Sequence, residues 1–269
     1  MKKVGVLGCG WLGMPLAKML IKEGYLVHGA TTTPQKMKQI LELGVTPFLV
    51  ECTENSQSGL SKFIQGLDTL VLTIPPGLKK HPTRRHDLVI EGVIKQLSSS
   101  KIKHLIFISS TSVYGNQTGI INEQSPLLPS TNSGKQLVTC EALLRKIKDF
   151  NSTIIRFGGL IGPKRHPIFT LIKKPYLNNP NGEINLIHLD DCLKILLRVI
   201  EKDSHNTIYN AVNPYHPSRK NYYNQMAQKA ELKCPPFNGA NPINRIISSD
   251  KIQKELDITF SVENLLTLN

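Results

Sequence analysis

The stretch Val4-Gly5-Val6-Leu7-Gly8-Cys9-Gly10-Trp11-Leu12-Gly13 decides the fold. A short β-branched run ends in glycine, and Leu12, Leu16, Met19 and Leu20 then recur at helical spacing. The loop between strand and helix reads G-x-G-x-x-G. In such a loop the first glycine, Gly8, permits a tight turn. The second, Gly10, lets backbone approach a pyrophosphate, and the third, Gly13, lets helix pack closely on strand. The helix N-terminus then offers N–H groups and positive potential to phosphates. Directly after a first strand and before a helix, the motif predicts dinucleotide binding through Gly8, Gly10, Trp11, Leu12 and Gly13. For Trp11 two roles are open: covering the pyrophosphate, or packing on the sheet edge.

Outward from this loop the first half alternates strand-like and helix-like segments. Tyr25 to Thr31 reads as a second strand, Pro34 to Leu43 as a helix, and Thr46 to Val50 as a third strand. Asp68 to Ile74 reads as a fourth, stopped by Pro75-Pro76-Gly77. Residues 83–99 read as a helix, Ile102 to Ser109 as a fifth strand, residues 135–149 as a helix, and Ser152 to Phe157 as a sixth strand. Strands separated by helices imply crossover units and a parallel sheet. The near-continuous apolar runs VLTI and LIFI fit strands buried on both faces. The predicted fold is therefore an α/β doubly wound (Rossmann) parallel sheet. Beyond residue 158 the rhythm changes and prolines recur (Pro163, Pro167, Pro175, Pro180). The expected division is a dinucleotide-binding domain over 1–157 and a smaller C-terminal substrate lobe over 158–269, not fully independent. In that lobe, helices at 190–202 and 218–231 and a strand at 207–212 are expected.

The 269 residues suffice for one large α/β domain, or a large domain with a smaller appendage, and 40% hydrophobic residues exclude a disordered chain. Lys and Arg number 33 against 20 Asp and Glu, a formal net charge of +13. The cations are scattered, with no long like-charge run and no basic stripe interleaved with aromatics. They read as a solvated surface compatible with phosphate-bearing ligands, and no nucleic-acid partner is expected. The five cysteines (Cys9, Cys52, Cys140, Cys192, Cys234) form no C-x-x-C pair, so neither a zinc site nor a disulfide framework is expected, and the setting is a reducing cytoplasm. Gly5, Gly8 and Gly10 break the N-terminal apolar stretch too early for a secretory signal, and no window of about 18 apolar residues suggests a membrane span.

The end of the second strand reads His28-Gly29-Ala30-Thr31-Thr32-Thr33, with no acid before Glu42. NAD sites usually carry Asp or Glu there for the ribose hydroxyls. A carboxylate would repel a 2′-phosphate, whereas Thr31, Thr32 and Lys36 would accept one. NADP is therefore expected over NAD, with NAD still possible. Thr73, Pro75 and Ser109, at the ends of the fourth and fifth strands, are further cofactor-binding candidates.

After the fifth strand, Phe107-Ile108-Ser109-Ser110-Thr111-Ser112-Val113-Tyr114-Gly115 resembles the corresponding segment of the extended short-chain dehydrogenases/reductases, the NAD-dependent epimerase/dehydratase family. Asn122-Glu123 with Pro126 and Pro129 agrees, as do Glu141, Arg156-Phe157-Gly158 with Gly162-Pro163, His188-Leu189-Asp190, and Tyr209-Asn210. The glycine spacing resembles an atypical branch of that superfamily. The resemblance implies hydride chemistry by a Tyr-x-x-x-Lys pair with a Ser or Thr, and a nucleotide-linked sugar or similar polar carbonyl substrate.

Ser110 falls on the family's serine position. With Glu123 and Glu141 aligned without a gap, Ser133 and Leu137 stand where tyrosine and lysine belong. A two-residue slip would instead align Thr131 and Lys135. Tyr114 is the candidate substitute phenol, so Ser110 and Tyr114 are the expected catalytic residues. Arg165 and His188 are the expected substrate contacts, with Asp190 expected to cap the helix that follows. No metal site is expected. The readings are an NAD(P)-dependent oxidoreductase or epimerase-like enzyme, monomeric or homodimeric, or a non-catalytic dinucleotide-binding protein serving as redox sensor or partner subunit.

Overall fold

The structure, a computed structural model, describes residues 2–239 and 243–267. Its centre is a seven-stranded sheet of β1 (Lys3–Leu7), β2 (Leu26–Thr31), β3 (Thr46–Leu49), β4 (Thr69–Leu72), β5 (His104–Ser110), β6 (Asn151–Phe157) and β7 (Thr207–Ala211). The spatial order is β7-β6-β5-β4-β1-β2-β3 and every pairing is parallel. The order reverses at β1, which lies between β2 and β4. A crevice opens at such a switch point, beyond the carboxyl ends of the strands.

The strands alternate between two cores. Val71 and Ile106 point into one apolar cluster, while Leu70, Leu72, Leu105 and Phe107 enter the other. Helices α1 (Gly13–Lys22) and α5 (Leu189–Glu201) cover the first face through Leu16, Leu20, Ile195 and Val199. Between them in the chain come α2 (Lys36–Glu42), α3 (His86–Ser98) and α4 (Asn132–Arg145). The last two cover the second face through Val89, Val93, Cys140 and Leu144. Burial on both sides accounts for the unbroken apolar runs in β4 and β5.

Most expected elements lie within a few residues of their expected bounds. The helix expected at 135–149 is displaced: Thr131 Oγ1 accepts from the Gly134 N–H at 3.0 Å, which starts α4 at Asn132, and it ends at Arg145. The sheet crosses the 157/158 position, since β7 pairs with β6 and α5 packs beside α1. Residues 119–121 likewise pair with 245–247. A third apolar cluster, including Ile161, Leu177, Ile184, Tyr222 and Met226, draws on residues beyond 158, where α6 (Arg219–Lys229) and α7 (Asp250–Leu256) are the later of the longer helices among the described residues. No helix among the described residues is long and apolar enough to cross a membrane.

Candidate active site

A cleft of about 720 Å³ lies over the carboxyl ends of β1, β2, β4, β5 and β6, within the range of about 300–1,000 Å³ of small-molecule and cofactor sites. The glycine loop forms its floor. Gly8 has φ +117°, a conformation that favours glycine. A Cβ on Gly13 would stand 2.2 Å from the Gly8 carbonyl oxygen, so α1 lies too close to the loop for any side chain there. A Cβ on Gly10 would meet nothing within 4 Å. The open space is thus at the glycine where backbone is expected to meet phosphate, and the loop fits a pyrophosphate. Leu12, at the start of α1, makes no side-chain cap, and the helix's first turn holds no acid, which keeps its N-terminus positive.

Thr73 donates to the Gly8 carbonyl at 2.7 Å, so its hydroxyl braces the loop from β4. Thr31, Thr32, Thr33 and Lys36 line the cleft at the end of β2. Thr31 Oγ1 accepts from the Thr33 N–H at 3.1 Å and braces the turn, and Thr32 is exposed. Trp11 Nε1 donates to the Pro163 carbonyl at 2.9 Å, and the Arg165 guanidinium lies 4.8 Å from the Trp11 ring centroid. Trp11 therefore joins the glycine loop to the 163–165 turn, and both residues line the cleft, as does Pro75. Sequence reasoning missed Arg84, Leu137 and Gly158-Gly159 in the lining. Arg84 sits in a loop of no periodicity, held through Nη2 to the Cys52 carbonyl at 3.3 Å, and only its basic character hinted at a role. Among the described residues lining the cleft there are three cations, Lys36, Arg84 and Arg165, and no carboxylate.

At the end of β5 the two serines differ. Ser109 donates to Glu141 Oε1 at 2.6 Å and is buried. Ser110 is half-buried, and its Oγ accepts from the Ser112 N–H at 3.2 Å. That bond uses a lone pair and leaves the Ser110 proton to donate into the cleft.

Tyr114 is a correction to the sequence reading. The turn Thr111–Tyr114 swings its ring into the second core, where it is 0% exposed and absent from the cleft lining. Its hydroxyl donates to Asn210 Oδ1 and accepts from Arg156 Nη1, both at 2.7 Å. Burial pushes the phenol's pKa up against the lowering pull of Arg156, the opposite of what a proton shuttle near neutral pH needs. Arg156 also meets Glu141 at 2.6 Å, and the Asn210 N–H donates to Glu123 Oε1 at 2.8 Å. The family-like residues Tyr114, Glu123, Glu141, Arg156 and Asn210 thus form one buried polar bracket linking β5, β6, β7 and α4.

His188 is a second correction. It does not line the cleft; its Nδ1 accepts from the Asp190 N–H at 3.3 Å and caps α5, the part expected of Asp190. On α4, Leu137 lines the cleft one turn before Glu141, while Lys135 is exposed. The cleft therefore meets an apolar side chain at 137, while the lysine two residues earlier faces away from it.

A glycine loop at a switch point, braced by Thr73 and closed by serines on the fifth strand, defines a dinucleotide-binding α/β protein. The sequence pattern of the NAD-dependent epimerase/dehydratase family matches residues 4–211, and the chain belongs to that family. It is 31% identical to Protein YeeZ of Escherichia coli strain K12 over all of this chain and 99% of that one. It is 25% identical to an uncharacterized UDP-glucose epimerase, YtcB, of Bacillus subtilis, over 74% of this chain and 73% of that one. Its fold is shared with a UDP-glucuronic acid 4-epimerase from Bacillus cereus solved with NAD (TM-score 0.80, 21% identity, 98% of this chain and 95% of that). It is shared too with a UDP-Glc/GlcNAc 4-epimerase from Campylobacter jejuni (TM-score 0.83, 15% identity, 99% and 96%).

Proposed function

We propose that the protein is an NAD(P)-dependent oxidoreductase or epimerase-like enzyme that prefers NADP and admits a nucleotide-linked sugar or similar polar carbonyl compound. The observation that carries this reading is the joint lining of one cleft by an open glycine loop, three cations without a carboxylate, and a Ser110 hydroxyl free to donate. A bound nicotinamide would supply the hydride chemistry. The chain's part is to hold the pyrophosphate on the Gly8–Gly13 backbone and to accept a 2′-phosphate through Thr32 and Lys36. Ser110 would polarise the substrate oxygen, and Arg165 would meet phosphate on the substrate side. The nucleotide-sugar class is supported by the structural neighbours named for UDP-sugar substrates. The working unit under this reading is a cytoplasmic monomer or homodimer.

A second reading, dinucleotide binding without turnover, is favoured by the apolar Leu137, rather than a cation, facing the cleft from α4 and by the burial of Tyr114. Titration with NADPH and NADH, followed by hydride-transfer assays across UDP-sugars, separates the two. NADPH is expected to bind at least tenfold more tightly than NADH, about 1.4 kcal/mol. Thr32→Asp should reverse that order through repulsion of the 2′-phosphate. Tighter NADH binding by the unaltered protein refutes the cofactor preference, and cofactor binding with neither hydride transfer to a carbonyl compound nor epimerisation of a UDP-sugar selects the second reading.

A further inference from the structure

The amino ends of the strands, opposite the cleft, carry a cluster that the proposed function does not use. His104 opens β5, Thr153 lies near the start of β6, and residues 202–206 lead from α5 into β7. His104 is 2% exposed, and its Nε2 lies 2.8 Å from Thr153 Oγ1. The single Thr153 hydroxyl proton goes to the Ser204 carbonyl. Thr153 must therefore accept from His104, which places the ring proton on Nε2 and the lone pair on Nδ1. That Nδ1 is buried and has no hydrogen-bond partner. The His205 ring stands edge-on to His104, with 4.5 Å between centroids, and Asp203 comes from the same turn. One ligand atom from each of His104, Asp203 and His205 lies within 4.8 Å of the others.

We propose that His104, Asp203 and His205 bind one zinc-type divalent cation, with water completing the coordination. Two imidazoles and a carboxylate form a donor set suited to Zn²⁺ rather than to the all-oxygen preference of Ca²⁺ or Mg²⁺. Thr153 serves as the outer partner that fixes the tautomer of a ligating histidine. His104 is held rigidly in the sheet, while the exposed Asp203 and His205 close on it with a small side-chain movement. The bound cation would clip β5 to the turn before β7. Lys2 competes with it, since Nζ lies 2.6 and 2.8 Å from the two Asp203 carboxylate oxygens. His205 Nδ1 lies 3.2 Å from Asn151 Nδ2.

The test uses the full chain, stripped with a chelator and titrated calorimetrically with Zn²⁺, and with Co²⁺ as a visible-absorption probe. One site per chain is expected, with Zn²⁺ raising the melting temperature. His205→Ala and Asp203→Ala, both at exposed positions, should keep the wild-type circular dichroism and NADPH affinity. Each should weaken Zn²⁺ at least tenfold and abolish its thermal effect, whereas Lys2→Ala should tighten binding. Wild-type protein that takes up no Zn²⁺ overturns the proposal. So do His205→Ala and Asp203→Ala variants that bind as tightly as wild type, which would move the cation to other ligands such as the thiols.

Discussion

A Cβ on Gly10 meets nothing within 4 Å, whereas one on Gly13 lands 2.2 Å from the Gly8 carbonyl oxygen. The two glycines of one loop therefore fail in different ways. Gly10→Val should leave the urea midpoint near wild type and weaken dinucleotide binding at least tenfold, about 1.4 kcal/mol, because its side chain enters the space the ligand needs. Gly13→Ala should cost stability of about 1–3 kcal/mol, because backbone must move to admit a methyl group. Paired denaturation and titration curves check both, and a Gly10→Val protein with undiminished affinity would make the loop structural only. The different space around the two glycines was legible in the sequence because G-x-G-x-x-G encodes local backbone geometry. Tyr114 was not legible in the same way. Its partners Arg156 and Asn210 lie 42 and 96 residues away, and only the folded sheet brings them to its hydroxyl.

Helix α4 presents Ser133, Leu137 and Glu141 at successive i, i+4 positions, the spacing that shares one face. Leu137 and Glu141 are 3% and 1% exposed, and Lys135 projects elsewhere into solvent. The sequence held both alignments of this helix open. The buried Glu141–Arg156 pair fixes the helix's rotation against β6 and so sets Leu137, not Lys135, towards the cleft. Lys135→Ala should accordingly leave cofactor affinity and any turnover unchanged. Glu141→Ala should strand the Arg156 guanidinium, which is 2% exposed, and lower unfolding free energy by about 3–5 kcal/mol. Urea denaturation measures that loss. A large loss of turnover in Lys135→Ala would restore the slipped alignment and make the protein a more ordinary member of its family.

At the scale of the molecule, the parallel sheet was readable because strands buried on both faces write themselves as continuous apolar runs. The C-terminal lobe was less so. Its described strands outside the seven-stranded sheet are three residues long, and one of them, 245–247, pairs with 119–121 across more than a hundred residues. Three histidines, His86, His104 and His166, nevertheless share one pH signature. His86 is 0% exposed with neither ring nitrogen partnered, and burial, reinforced by the Arg84 charge and opposed by Asp87, lowers its pKa to about 4. His166 also falls to about 4 by burial; its Nδ1 accepts from the Ile168 N–H at 3.1 Å, and its Nε2 lies 2.7 Å from the Tyr222 hydroxyl. In the unfolded chain both would titrate near 6.5. Between about pH 6.5 and 4 the unfolded state thus binds more protons than the folded one, so their contribution is fully present above 6.5 and lost as pH falls through that window. For His86 the full shift corresponds to about 3 kcal/mol at roughly 1.4 kcal/mol per pH unit. Urea midpoints measured from pH 7.5 down to 4.5 should fall steadily below 6.5, and His86→Leu should flatten part of that slope. An unchanged slope in His86→Leu would mean that the imidazole finds a proton acceptor in the folded state and that its burial does not hold it neutral.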